Sequence, residues 1–314
     1  MKFGLYIRSG QTYAGMLELA QYADELGLFG VFLNDHVHGF ANEGKEPYLE
    51  AWTAMTGIGV QTKRIRLGHI VLFNSLRNPA FLAKSIATLD QMSNGRYELL
   101  IGAGWNVPEY EGYDLMEKGR GMPSPKERVD RFKEALEILR GMLTNEVFSY
   151  EGKFWKLKNA INIPQPVQKS IKISVGASKS RMIRIAARYA DGLNTGGGLQ
   201  ELKEKIKLLA PALEKNNKKL EDYFFSGFGA INIAKNEEEY DTLVKEISER
   251  AKKSEEEIKK NAFVGTPEVL IEKFRQAQDM GLKMMVMITR PASNNEETKE
   301  RTAFFKDSVI SQLK

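Results

Sequence analysis

The chain contains three histidines, His36, His38 and His69, and all of them precede residue 70. Histidine is the side chain whose unperturbed pKa lies nearest physiological pH, so His36, directly after an apolar run, is a candidate general acid or base. The plainer alternative is a ring hydrogen-bonded to its own loop. The spacing His36-x-His38 also invites a metal reading, because residues two apart on an extended strand face the same side. Such a site needs further ligands from later strands, yet no histidine follows position 69 and the chain has no cysteine. No metal is therefore expected. Three glycine-rich stretches follow: Gly102-Ala103-Gly104-Trp105-Asn106, Gly176-Ala177-Ser178-Lys179-Ser180 and Asn194-Thr195-Gly196-Gly197-Gly198. Glycines let backbone N–H groups approach an anion, and a helix starting there adds partial positive charge. The last two stretches are thus a candidate phosphate cradle, against the plainer reading of tight turns. Trp105, directly after its glycines, is a candidate aromatic platform; Trp52 lies near a strand end and Trp155 in an aromatic segment.

Positioning these residues requires a scaffold that brings strand ends together. Short apolar runs alternate with helical periodicity at intervals of about 30 residues, the cadence of βα units around a parallel sheet. Lys2 to Ile7 reads as a strand, followed by a helix carrying Met16, Leu19, Ala20, Ala23 and Leu26 on one face and closed by Gly27. Further strands are expected at 30–33, 65–72, 97–103, 171–175, 192–195, 225–233 and 284–289. Helices are expected at 50–61, 79–92, 126–143 and from Ser180, with another announced by Thr266-Pro267-Glu268 as an N-cap followed by proline. The count, about eight strands each followed by a helix, predicts a (β/α)₈ TIM barrel as one domain over 1–314. Insertions are expected at about 106–125, 145–168 and 235–262, with a local hairpin or flap at 148–157. An open doubly wound sheet is the competing fold, but its first turn should carry G-x-G-x-x-G, and Arg8-Ser9-Gly10 does not. In a barrel, chemistry sits on the loops after the strands, where the histidine and glycine stretches fall.

Composition excludes several function classes. Hydrophobic residues make up 42% of the 314 positions, enough apolar surface to argue against disorder. The 46 Lys+Arg and 41 Asp+Glu leave a net charge of +5 with both signs interspersed, so no concentrated basic face marks a nucleic-acid partner. No apolar run approaches the roughly 20 residues of a membrane helix. The opening MKFGLYIRSGQTY lacks the apolar core and cleavage site of a signal peptide, so a cytoplasmic protein is expected.

Several stretches together resemble the bacterial-luciferase-like flavin and deazaflavin oxidoreductases. They are LNDHV, RIRLGHIVLFNSLRNPAFLAKSIATLDQMSNGRYELLIGAGWNVPEYEGY, RVDRFKEALEIL and IKISVGASKSRMIRIAARYADGLNTGG, with a weaker likeness at GTPEVLIEKFRQAQDMGLKMMVM. The likeness covers most of residues 1–198 and does not inform 200–262. It implies a (β/α)₈ barrel, usually a homodimer, holding reduced FMN or coenzyme F420 with its phosphate near strands 5 and 6 and its ring in the mouth. In the F420-using branch it implies a non-proline cis peptide on strand 3, at Ile70–Val71 here. It implies Asp35 and His36 near the reacting face, Gly104, Trp105 and Asn106 beside the ring, and Gly176, Ala177, Thr195, Gly196 and Gly197 near the phosphate. His69 stands where relatives often have threonine, which either reshapes the ring pocket or is a barrel-interior histidine with a local partner. The resulting expectation is an F420-dependent oxidoreductase passing hydride between F420 and a small organic substrate, with His36 as proton partner. An FMNH₂-dependent luciferase-like monooxygenase is the near alternative; a metal-dependent barrel hydrolase and a non-catalytic ligand-binding barrel are the distant ones.

Overall fold

A computed structural model describes residues 1–40 and 42–313. Eight parallel strands make up its central sheet: β1 (Lys2–Tyr6), β2 (Gly30–Leu33), β3 (Arg66–His69, resuming at Leu72–Phe73), β4 (Tyr97–Gly102), β5 (Ile173–Gly176), β6 (Gly192–Gly196), β7 (Phe224–Ile233) and β8 (Met284–Arg290). Each pairs with its neighbour in sequence, and β8 pairs back onto β1 with Lys2 opposite Met284 and Leu5 opposite Met287. Closure leaves no open edge. Helices alternate with the strands and form the outer layer, so the architecture is the expected (β/α)₈ barrel.

Strand alternation divides the residues between two cores. On β2, Val31 and Leu33 pack outward with the helix layer, whereas Phe32 points into the barrel with Ile70, Leu100, Met284 and Val286. Phe32 fits only because both flanking strands have glycine beside it. A Cβ on Gly4 or Gly68 would stand 2.5 Å from a Phe32 ring carbon. This large-beside-small arrangement is how a closed barrel fills its interior without voids.

The stretches expected as insertions hold extra elements. A short helix, Val107–Gly112, follows β4, and an antiparallel hairpin, Val147–Glu151 with Lys156–Ile161, precedes β5. Helices Glu237–Ala251 and Glu255–Asn261 and the short strand Val264–Gly265 lie between β7 and the helix Pro267–Asp279. Among the described residues no helix is long and apolar enough to cross a membrane.

Two local expectations, on strand 3 and on His69, need correction. Strand 3 is not continuous over 65–72: it breaks after His69, and the Ile70–Val71 peptide is cis, the bond that the resemblance implies. Thr266 stands at the N-cap with Pro267 next, as expected, and its hydroxyl donates to Glu268 Oε2 at 2.8 Å. His69 faces the helix layer, neither the mouth nor the barrel interior. Its ring stacks on Trp52 at 5.4 Å, its Nδ1 lies 3.0 Å from the Tyr97 hydroxyl and its Nε2 3.3 Å from the Ala51 carbonyl oxygen.

Full burial lowers the His69 pKa to about 4, so the ring is neutral at pH 7. Between pH 6.5 and 4 the unfolded chain binds a proton that the folded ring refuses. Stability is therefore complete above pH 6.5 and falls by about 3 kcal/mol as the pH drops to 4. Urea midpoints at pH 7.5 and 4.5 are expected to differ more in the wild type than in His69→Gln. Equal acid sensitivity in the two proteins would contradict this account.

Candidate active site

The C-terminal strand ends surround a cavity of about 550 Å³, within the range of small-molecule and cofactor sites. Its walls include Asp35 and His36 after β2, Ile70 to Phe73 on the interrupted β3, and Gly102 to Trp105 from β4. The opposite wall is Gly176 to Lys179 after β5, Arg181 and Met182 on the following helix, Asn194 to Gly196 on β6, and Phe228 on β7. The expected residues Asp35, His36, Ile70, Val71, Gly104, Trp105, Gly176, Ala177, Thr195 and Gly196 thus come together on one cavity. Asn106 and Gly197 do not line it.

His36 is held by a partner 73 positions away. Its Nδ1 lies 2.9 Å from Glu109 Oε2, and the other carboxylate oxygen accepts the Val37 backbone N–H at 2.8 Å. Glu109 sits on the short helix after β4 and its side chain is fully buried. Burial is the largest influence on this carboxyl and pushes its pKa up. The hydrogen bonds from His36 and Val37 and the His36 charge together outweigh it, and hold the carboxyl below the usual range. An ionised Glu109 has only acceptors to offer, so Nδ1 carries hydrogen and Nε2 is the ring nitrogen left for the cavity. Phe40 and Trp105 stack on one another at 5.8 Å, and each meets the imidazole edge-on, at 4.7 and 5.8 Å. Sequence reading missed Glu109; its only local signal is Val107-Pro108-Glu109, a helix start just beyond Trp105.

Asp35 lies on the wall with its carboxylate already occupied. Oδ2 accepts from Arg77 Nη1 at 2.6 Å and from the Phe73 N–H at 2.8 Å, and Oδ1 accepts from Arg77 Nη2 at 3.0 Å. Arg77 also pairs with Glu50. The end of β2 is thereby tied to the resumed part of β3. Gly104 serves the same wall: its φ is +81°, and a Cβ there would come within 1.8 Å of the Phe73 ring. Only glycine lets that ring lie where it meets His36 edge-on at 6.3 Å.

The glycine cradle divides in two. The helix Ser180–Tyr189 starts beside the cavity, and its N-cap residue, Lys179, makes no side-chain cap bond, so its first amides lack a side-chain acceptor. A Cβ on Gly196 would meet nothing nearer than the Phe228 carbonyl at 3.5 Å, so that glycine leaves the wall open. Gly197 and Gly198 turn away. The Gly198 N–H donates to Glu201 Oε2 at 3.1 Å, and a Cβ on Gly198 would stand 2.0 Å from the Asn261 carbonyl. Gly198 thus packs against the insertion, whereas Gly197, with φ +125°, makes room for Glu201, where a Cβ would stand 2.6 Å from its Cβ. Arg128 and Arg181, which the sequence reading did not single out, add positive charge to the cavity wall.

His38 bonds the Gly39 carbonyl through Nδ1 at 2.8 Å and does not line the cavity. Trp52 packs on His69 in the helix layer, away from the mouth.

The family model for luciferase-like monooxygenases matches residues 1–284. An F420-dependent glucose-6-phosphate dehydrogenase of Kribbella flavida is 33% identical over 212 residues, 66% of this chain and 61% of that protein. The enzyme of the same description from Amycolatopsis mediterranei is 30% identical over 195 residues, 61% of this chain and 56% of that protein. The chain therefore spans less than two thirds of the length of these curated relatives. An F420-dependent secondary alcohol dehydrogenase, solved with an F420-acetone adduct, superposes with a TM-score of 0.82 at 20% identity, covering 100% of this chain and 99% of the other. The F420-dependent tetrahydromethanopterin reductase of Methanopyrus kandleri gives 0.77 at 18% identity, covering 100% and 99%. At those identities the likeness concerns the fold, whereas the family match extends from β1 into β8: the chain belongs to the luciferase-like monooxygenase family.

Proposed function

We propose that the protein is an F420-dependent oxidoreductase that passes hydride between F420 and a small organic substrate, an alcohol or the matching carbonyl compound. The observation that carries this reading is the two-sided cavity, with a proton-handling His36–Glu109 pair on one wall and an anion-binding helix start on the other. The F420-dependent relatives support it.

The residues present fit such a cofactor. Backbone amides at Ser180 and beyond, with Lys179, Arg128 and Arg181, suit its phosphate, and the open side of Gly196 leaves room for it. When bound, F420 supplies the two-electron hydride carrier that no side chain of this chain provides. His36 Nε2 takes the proton from a substrate hydroxyl as the carbon is oxidised, and returns it in the reverse direction. Glu109 keeps Nδ1 protonated and stabilises the imidazolium that forms. Asp35 and Arg77 act one step back, fixing the wall that carries Phe73. Trp105 and Phe40 shield the His36 edge from water.

The reading includes a cytoplasmic homodimer. A chain without cysteine needs no oxidising compartment. Phe81, Ile161 and Ile163 are exposed apolar residues around the helix Pro79–Met92, where Lys84 bonds the Ile163 carbonyl, and such a patch suits a second copy.

Fluorescence titration with F420 and with FMN tests the cofactor. Micromolar or tighter binding of F420 is expected. Micromolar binding of FMN with no response to F420 would overturn the proposal and favour a flavin monooxygenase.

A further inference from the structure

The helix Pro125–Met142 separates the cavity from a second depression of about 410 Å³. Its first turns present Pro125, Arg128 and Val129 to the cavity, and Lys126, Glu127, Asp130 and Arg131 to the depression. Arg181, on the cavity wall, reaches Asp130 at 3.4 Å, so the two spaces share a boundary. The far side of the depression is the hairpin tip. Glu134 accepts the backbone N–H groups of Lys153 and Phe154 at 2.9 and 3.0 Å, which pins that tip to the helix. Phe154 then lies under two cations, 4.4 Å from the Arg131 guanidinium and 5.0 Å from Lys153 Nζ.

Charge in this region is out of balance. The Glu127 carboxylate is shared between Arg120 at 3.0 Å and Arg131 at 2.9 Å, and Asp130 between Lys126 at 2.9 Å and Arg181 at 3.4 Å. Each carboxylate thus serves two cations. Arg128, Lys153 and Lys179 make no ion pair among the described residues; the Arg128 Nη1 donor finds only the Met122 sulfur. Surplus positive charge therefore extends from Lys179, Arg128 and Arg181 on the cavity wall to Lys126, Arg131 and Lys153 around the depression. A compact dianion would be met by one or two of these groups. An extended chain bearing several carboxylates would meet the whole set, and could share the cations that Glu127 and Asp130 neutralise only in part.

We infer that this depression is a second anion subsite, and that it holds the oligoglutamate tail of F420 where that tail leaves the cavity. The inference rests on the F420 reading above, and its test separates the two. Three deazaflavins are titrated by fluorescence at low ionic strength: the core without phosphate, the form ending at its phospholactyl group, and F420 with several glutamates. The wild type is expected to bind the glutamylated form about tenfold more tightly than the phospholactyl form, the sum of several weak exposed pairs. The gap should narrow as salt is raised. The double variant Lys126→Ala/Lys153→Ala is expected to abolish the gap while leaving affinity for the phospholactyl form unchanged. Equal affinity of the wild type for the two forms, or a gap that survives in the double variant, would overturn the inference while leaving the cofactor assignment standing. Failure of all three to bind would remove the F420 reading and the subsite with it.

Discussion

Replacing His36 with alanine is expected to lower kcat by roughly 10²–10⁴-fold, the usual worth of a positioned proton-transfer group, while the affinity for F420 changes only a few-fold. The ring contributes Nε2 to the cavity, whereas the amides and cations proposed to hold the phosphate lie elsewhere on its wall, at the start of helix Ser180–Tyr189 and at Arg128. Chemistry and cofactor binding should therefore separate. The measurement is single-turnover reduction of F420 with the most active member of a panel of secondary alcohols and sugar phosphates, beside a fluorescence titration of the same variant. Glu109→Gln should reproduce the pattern with a smaller rate loss, because the amide still fills the buried site but no longer offers a charge to the imidazolium. Unchanged turnover in His36→Ala would remove this histidine from the reaction. A matching loss of F420 affinity would recast it as a binding residue.

The second large effect is on stability. Asp35→Ala leaves Arg77, which is mostly buried, with Glu50 as its remaining carboxylate, and leaves the Phe73 N–H without its acceptor. Removing one member of a buried ion pair typically costs about 3 kcal/mol or more. The urea midpoint should fall with little change in m-value. The variant also discriminates between roles. If Asp35 held the wall and handled no proton, Asp35→Asn would lose stability and keep kcat within a few-fold. If it exchanged protons with the substrate, the same variant would fold normally and turn over poorly. The geometry favours the first outcome, since both oxygens are engaged by Arg77 and Phe73.

These two residues, adjacent in sequence, show how far the sequence could be read. Their position at the end of the second strand follows from a short apolar run, Gly30 to Leu33, and from the barrel rule that chemistry gathers at strand ends. Their different roles do not follow. Asp35 is engaged by Arg77, 42 residues on, and His36 by Glu109, 73 residues on. His69 carries the same lesson. Its residue type and strand were evident, but its face was set by register: Gly68 lies opposite the inward Phe32, so His69, beside the outward Leu33, packs against Trp52 and Tyr97 instead of in the ring pocket or barrel interior. Among the glycines, Gly104 and Gly196 shape the cavity, while Gly197 makes room for Glu201 and Gly198 for Asn261 of the insertion, a segment on which the resemblance is silent.

By itself, then, the sequence determined the barrel, the order of its strands and the stretches that meet at its mouth. Periods of two and 3.6 residues, helix-starting prolines and glycine stops are properties of short segments and survive without the rest of the molecule. The tertiary structure alone decided which carboxylate faces which base, which glycines border the cavity, and that cations from three separate segments line the cavity and the depression beside it. Those are contacts across a closed sheet, set by where loops of different lengths return. No local pattern encodes them.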